Sequence, residues 1–255
     1  MLKVALTIAG SDPSGGAGLQ ADLKVFAAFG VYGMAVPAAL TAQSTLGVTA
    51  VKAVPPAFLR AQLEALLSDT PPDAVKTGML LSAAAISTVA AMLPAFQVKN
   101  LVIDPVMVSS SGKRLLRRNA VSALINELFP LAELVMPNKD EAEVLSGITI
   151  ETREDAKEAA RIIQGLGPRF VLIKGGHLPG DAVDLFYNGS EFFEYAGKRE
   201  QNKKLHGAGC VYSAAVTAGL ANGMSAMEAI AEAKDFINKA IRKAVPVGKG
   251  RVPLV

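Results

Sequence analysis

The apolar positions of this chain follow two alternating rhythms. Leu2–Ala9 is a short apolar run rich in β-branched residues that stops at Gly10, which predicts a buried strand. After the loop GSDPSGGAG, the segment LQADLKVFAAFG carries apolar residues at helical spacing and ends at Gly30, which predicts a helix. The alternation continues. Strands are predicted at Tyr32–Ala39, Val48–Val54 and Asp73–Thr77, and in NLVIDPVM, AELVMP and RFVLIKGG. Helices are predicted in PPAFLRAQLEALLSD, started by its prolines, and at Ser82–Leu93 with Ser82 as N-cap. More follow at Asn119–Phe129, Lys139–Leu145 and Thr152–Leu166, then at roughly Ala208–Ala221 and Ala226–Ala244. DAVDLFYNGSEFFEYAG predicts an antiparallel pair turning at Asn188-Gly189. Strands alternating with helices imply an α/β protein with a mostly parallel sheet covered on both faces. With no repeat, low-complexity tract or linker, residues 1–255 are expected to form one domain.

Composition narrows this picture. Hydrophobic residues make up 51% and charged residues 19%, enough for a large core. A net charge of +3, with no long basic block, gives no sign of nucleic-acid binding. The single cysteine excludes an intramolecular disulfide framework or a cysteine-built zinc site, and fits a reducing compartment. Asp12 cuts short the apolar start, against a signal peptide, and no run of about 18 apolar residues suggests a membrane span. A cytoplasmic protein is expected.

In open α/β sheets ligands gather beyond the carboxyl ends of the strands, so the residues after strands carry the information. Gly10–Gly18 lets a backbone approach a ligand closely, but lacks the Gly-Lys-Ser/Thr ending of a P-loop; a tight strand–helix turn explains it equally well. Asp104, at the end of NLVID, suits a cation or phosphate, or the bracing of a turn. Asn138 and Glu141 stand three apart at a helix start. They could hold a hydrated Mg²⁺, although a plain capping box is the simpler reading. Lys174 ends a strand before two glycines and suits a polyphosphate or solvent. His177 is read as structural. Ser109–Asn119, polar and basic, suits a flap over phosphate or an ordinary loop.

The sharpest feature is HGAGC, His206–Cys210. A glycine-flanked helix start offers free N–H groups and a positive dipole end, a ready anion site. A cysteine there is expected to have a lowered pKa and to act as a proton acceptor or nucleophile, with His206 nearby. The alternative is a cysteine packed as a small hydrophobe.

LTIAGSDPSGGAGLQADLK, ALTAQ, KTGM, DPVM, PNKDEAE, KGGH and HGAGC occur in the order seen in bacterial hydroxymethylpyrimidine and hydroxymethylpyrimidine phosphate kinases, and the whole chain resembles this ribokinase-like family. The resemblance implies a three-layer α/β/α fold, commonly dimeric. It implies two successive ATP- and Mg²⁺-dependent phosphorylations of 4-amino-5-hydroxymethyl-2-methylpyrimidine in thiamine synthesis. It implies that Gln43 bonds the aminopyrimidine edge and that Gly10, Asp22, Met79 and Val106 line the substrate pocket. Lys174, Asn138 and His206 would serve ATP and its phosphates, and Glu141 and Asp104 the metal. Gly207, Ala208, Gly209 and Cys210 would form the catalytic loop, with Cys210 where most of the superfamily carries aspartate. The family usually has threonine where this chain has Ala208. A pyridoxal kinase, or dual activity, is the nearest rival reading. A non-catalytic pyrimidine-binding module is a rival of another class.

Overall fold

The computed structural model describes residues 2–108, 112, 115–116, 119–175, 182–197 and 205–255. Eleven strands lie among them: β1 (Val4–Ser11), β2 (Tyr32–Ser44), β3 (Gly47–Ala53), β4 (Ala74–Thr77), β5 (Leu101–Ile103), β6 (Leu134–Val135), β7 (Phe170–Ile173), β8 (Asp184–Tyr187), β9 (Phe192–Tyr195), β10 (Leu205–His206) and β11 (Val252–Pro253). The helices are α1 (Gly18–Ala28), α2 (Pro56–Asp69), α3 (Ala83–Ala95), α4 (Ala120–Ala123), α5 (Lys139–Ser146), α6 (Arg153–Gly165), α7 (Ala208–Ala221) and α8 (Ala226–Lys243).

Nine strands form one sheet in the order β3-β2-β1-β4-β5-β6-β7-β8-β9. The pairs from β2 through β7 are parallel, while β3, β8 and β9 join antiparallel at the edges. Successive side chains of β1 serve opposite faces, as a doubly covered strand requires. Leu6 and Ile8 join the core built with Leu59 and Leu63 of α2, Ile86 and Val89 of α3 and Ile163 of α6. Ala5 joins the opposite core, with Phe26 of α1, Val211 and Val216 of α7 and Ile230 of α8. The architecture is therefore the expected three-layer α/β/α arrangement.

Strand order reverses between β1 and β4, which opens a crevice at their carboxyl ends. There β1 shifts register between Ala9 and Gly10, opposite Pro37, whose missing N–H cannot continue the ladder. Predicted boundaries differ from the structure in several places, three of which bear on the site and the core. β2 runs on to Ser44 because it pairs with β3 as a hairpin, carrying Gln43 to its tip. The strand in NLVIDPVM is only Leu101–Ile103. The helix predicted at Asn119–Phe129 is one α turn, then a π turn at Leu124–Leu128 and a 3-10 turn at Phe129–Leu131. The last change buries Leu124, Leu128 and Phe129 together, which a uniform helical period does not anticipate.

Candidate active site

Two glycine loops meet over the crevice. The loop after β1 is organised by Asp12. Its Oδ1 accepts from Ser14 N–H (2.9 Å) and Ser14 Oγ (2.7 Å), and its Oδ2 from Ala17 N–H (2.9 Å) and His206 Nε2 (2.8 Å). Burial raises the Asp12 carboxyl, but the hydrogen bonds from His206 and Ser14 outweigh it, so its pKa lies below the ordinary value. The second loop precedes α7. Gly207 is its N-cap, with a left-handed φ of 77°, and packs against the Gly16 carbonyl, where a Cβ would collide. Gly16 in turn lies under the His206 ring, 2.5 Å from its Cδ2 for an added Cβ.

A charged cluster faces the start of α7. Lys174, just beyond β7, donates its backbone N–H to Pro137 O (2.8 Å), which sets its side chain beside the β6–α5 turn. Its Nζ lies 2.6 Å from Asp104 Oδ1 and 4.0 Å from Glu141 Oε2. Asp104 Oδ2 also accepts from Ser213 Oγ of α7 (3.2 Å). Asn138 and Glu141 form the reciprocal capping box: Asn138 Oδ1 accepts from Glu141 N–H and Glu141 Oε2 from Asn138 N–H, both at 2.9 Å. Burial pushes the Glu141 carboxyl up to about 7; Lys174 pulls it down and Asp104 pushes it further up. Lys174 loses from burial but gains more from Asp104 and Glu141, so its pKa is raised and it stays charged. A Cβ on Gly209 would stand 3.3 Å from Lys174 Nζ and 3.7 Å from Asp104 Oδ2, so only glycine leaves this cluster open to the helix end.

Cys210 is half-buried. Its thiol is pushed up to about 11 by burial, with Asp104 and Asp22 adding to the rise against Lys76 and a hydrogen bond from the Gly18 backbone. This corrects the expectation of a lowered pKa. The helix start is present, but desolvation and two nearby carboxylates outweigh it, and the free site holds a thiol.

Behind it lies a pair that the sequence reading missed. Lys76 Nζ lies 2.7 Å from both oxygens of Asp22, and both side chains are fully buried. Thr7 Oγ1 donates to Asp22 Oδ2 at 2.6 Å. Asp22, expected to line the substrate pocket, bonds to Lys76 and Thr7. The signal was a lysine inside the apolar strand Ala74–Thr77, which demands a buried carboxylate.

At the β1–β2 end, Gly10 packs against the Met79 side chain, and Met79 shares a small apolar cluster with Ala39, Leu115 and Val106. Gln43 reaches this end from the hairpin, its amide 3.0 Å from His206 Nε2 and 3.2 Å from Thr41 Oγ1. His206, expected to serve the phosphates, thus contacts Asp12 and Gln43. The structure therefore gathers Gly10, Met79, Val106, Gln43 and His206 on one side, and Asp104, Asn138, Glu141, Lys174 and Gly209 on the other. Cys210 is coupled by charge to Asp104, Asp22 and Lys76. His177 and most of Ser109–Asn119 lie outside the described residues. No helix among the described residues is long and apolar enough to cross a membrane.

An open helix start, a lysine beside two buried carboxylates, and a small apolar cluster with an amide from the neighbouring hairpin define a phosphotransferase of the ribokinase-like class. More narrowly, the chain belongs to the phosphomethylpyrimidine kinase family, whose model matches residues 12–255. It is 50% identical to the thiamine biosynthesis bifunctional protein of Geobacter sulfurreducens over 98% of this chain but 51% of that protein, so it spans about half that relative's length. It is 44% identical to the hydroxymethylpyrimidine/phosphomethylpyrimidine kinase of Synechococcus elongatus, covering 99% of this chain and 97% of that one. Its fold matches that of the Staphylococcus aureus pyridoxal kinase in complex with AMP-PCP and pyridoxal, with a TM-score of 0.92 and 39% identity, covering 100% of this chain and 93% of that one.

Proposed function

We propose that this protein transfers the γ-phosphoryl group of ATP to the hydroxymethyl oxygen of 4-amino-5-hydroxymethyl-2-methylpyrimidine, and then phosphorylates the monophosphate, in thiamine synthesis. The observation that carries this reading is the placement of the α7 start, with Cys210, against the Lys174–Asp104–Glu141 cluster, with Gln43 across the crevice. A family relationship at 44% identity over nearly the whole of both chains supports the substrate. The AMP-PCP complex of the pyridoxal kinase supports ATP as donor.

Gln43 offers both a donor and an acceptor, as an aminopyrimidine edge requires. The apolar cluster around Met79 and Val106 receives the ring, and Gly10 lets the Met79 side chain close against β1. Lys174 meets the phosphate oxygens, and the N–H groups of Gly207–Cys210 face the charge that builds on the transferring group. Asp104 and Glu141 would hold Mg²⁺. The fit rests on Glu141, a buried carboxyl at about 7 that lies 4.0 Å from its nearest cation. Among the described residues no three His, Cys, Asp or Glu side chains gather to hold a metal, so ATP oxygens and water would complete its shell. When bound, Mg²⁺ would neutralise phosphate charge and offset Asp104, one of the groups that hold the Cys210 thiol up. In the loaded site Cys210 would first release its thiol proton to solvent and, as the thiolate, take the hydroxyl proton in the first step; the second needs no base, because the attacking phosphate oxygen is already anionic. We also expect a cytoplasmic homodimer.

The test is ATP turnover, with product mass, on the pyrimidine, its monophosphate and pyridoxal. Diphosphate product is the expected outcome. Phosphorylation of pyridoxal alone would favour the second reading, which rests on the fold shared with the pyridoxal kinase. Binding without turnover would leave a pyrimidine-binding module. Cys210→Ser should slow the first phosphorylation by roughly 10²-fold or more and the second far less. Equal activity on both steps would remove Cys210 as proton acceptor.

A further inference from the structure

His206 is a hydrogen-bond junction whose protons can be counted. Its Nε2 stands 2.8 Å from Asp12 Oδ2 and 3.0 Å from Gln43 Nε2. The ionised Asp12 only accepts, so His206 Nε2 carries a proton, whether the ring is neutral or cationic. A protonated ring nitrogen cannot also accept from the Gln43 amide. A second conflict lies at the other end of the same amide. Thr41 Oγ1 has one hydrogen and faces two acceptors, Ser11 O at 2.9 Å and Gln43 Oε1 at 3.2 Å. The two ends of a carboxamide have nearly the same shape, and hydrogen bonding decides between them. Turning the amide by a half-rotation resolves both conflicts. Oε1 then shares the His206 Nε2–H with Asp12 Oδ2 in a three-centre bond, and the NH₂ donates to Thr41 Oγ1, which donates its own hydrogen to Ser11 O.

We propose that His206, seated by Asp12, is a specificity-determining positioning residue that fixes the amide of Gln43 with its oxygen towards the imidazole and its nitrogen towards Thr41. This rests on Gln43 being the contact to the pyrimidine edge. The locked amide presents one remaining lone pair and one remaining N–H in a fixed order. An aminopyrimidine, with a ring nitrogen beside an exocyclic amino group, offers an acceptor and a donor in complementary order. The 4-oxo analogue reverses that order. To suit it, the amide would have to set N–H against the N–H of His206 and leave Thr41 overcommitted.

The surroundings hold His206 for this role. It is 8% exposed, its ring lies on Gly16, and its backbone pairs with Pro253 of β11.

The experiment compares steady-state kinetics on the 4-amino pyrimidine and its 4-oxo analogue for the wild type, His206→Phe, His206→Gln, Thr41→Val and Gln43→Ala, with the KM for ATP measured in each. His206→Phe is expected to raise the pyrimidine KM rather than lower kcat, and to cut the amino-over-oxo preference roughly tenfold, about one hydrogen bond's worth. His206→Gln places a donor near the former Nε2 and should restore most of that preference. Thr41→Val, a partly exposed change that leaves the core intact, should lower it in the same direction by less. An unchanged preference in both His206→Phe and Thr41→Val, or a rise confined to the KM for ATP, overturns the proposal. Gln43→Ala separates the two levels. If it leaves pyrimidine binding unaltered, the reading of Gln43 itself falls. If it abolishes binding while His206→Phe keeps the preference, only the lock falls.

Discussion

Glu141 makes its cap and its charge act in opposite directions. Its carboxylate closes the α5 capping box, yet burial holds the group up to about 7, with Lys174 opposing the rise and Asp104 adding to it. The native state therefore keeps a proton that the unfolded chain releases near the ordinary value of 4.5. Stability from this group is present below that value and is lost as pH rises through about 7. Glu141→Gln should accordingly melt close to the wild type at pH 5 and a few degrees above it at pH 8 in ligand-free protein. Activity should respond with the opposite sign, because holding a cation requires the ionised form. Wild-type kcat/KM for ATP with Mg²⁺ is expected to climb between pH 6 and 8, and the variant to lose roughly 10²-fold and that slope. An unchanged slope in the variant would assign the titration to another group. Lys76 poses a different problem. With one partner removed, Asp22 would be a fully buried unpaired charge, so Lys76→Met should cost about 3–5 kcal/mol in urea unfolding. The double variant Lys76→Met/Asp22→Leu should recover much of that loss; no recovery would mean that the lysine acts by packing rather than by charge. At this scale the sequence was informative where a residue's place in the fold marked it. Asp104, Glu141 and Lys174 were legible because they follow strands. The roles of Asp12 and of the Lys76–Asp22 pair were not, since which buried charges meet is decided by packing across α1, β1 and β4.

Among the elements, α7 is the one on which the chemistry hangs. Every residue from Val211 to Ala221 is buried, and the small side chains of AGCVYSAAVTAGLA let it lie closely against α1 and α8. Its start is kept free by glycine, and this separates stability from catalysis. Gly209→Ala adds a better helix former inside the first turn, by up to about 1 kcal/mol. It also places a methyl 3.3 Å from Lys174 Nζ, which must move. Thermal stability should hold or rise while kcat/KM falls by roughly 10²-fold. A parallel loss of both would show that the glycine serves only packing. Long amphipathic helices such as α6 and α8 were legible, and the structure caps them with Thr152 and Ser225. The two-residue strands β10 and β11 were not, because a pairing so short carries no periodicity. Nor was the register shift beside Gly10, which depends on the neighbouring strand's Pro37.

Across the whole molecule, the last residues tie together parts that the main sheet leaves separate. Val252 and Pro253 pair with Leu205 and His206. Arg251 N–H donates to Thr45 O (2.8 Å) and Gly250 N–H to Thr45 Oγ1 (3.2 Å), at the turn of the β2–β3 hairpin. Lys24 Nζ of α1 reaches Val255 O at 3.0 Å, and Leu254 is buried in the α7–α8 core. The segment therefore spans from the strand that carries Gln43 to the loop that carries His206, and anchors both to α1. Little of this connection passes through the Lys174–Asp104–Glu141 side of the crevice. Removing residues 250–255 should therefore act unequally on the two ligands. The pyrimidine KM is expected to rise by about tenfold or more as the hairpin tip and His206 lose their common support. The KM for ATP should change by much less, and the melting temperature should fall by about 2–4 °C for each kcal/mol lost. Equal loss towards both ligands would mean that the segment supports the fold as a whole. Unchanged pyrimidine binding would mean that the hairpin holds Gln43 in place by its own pairing with β1.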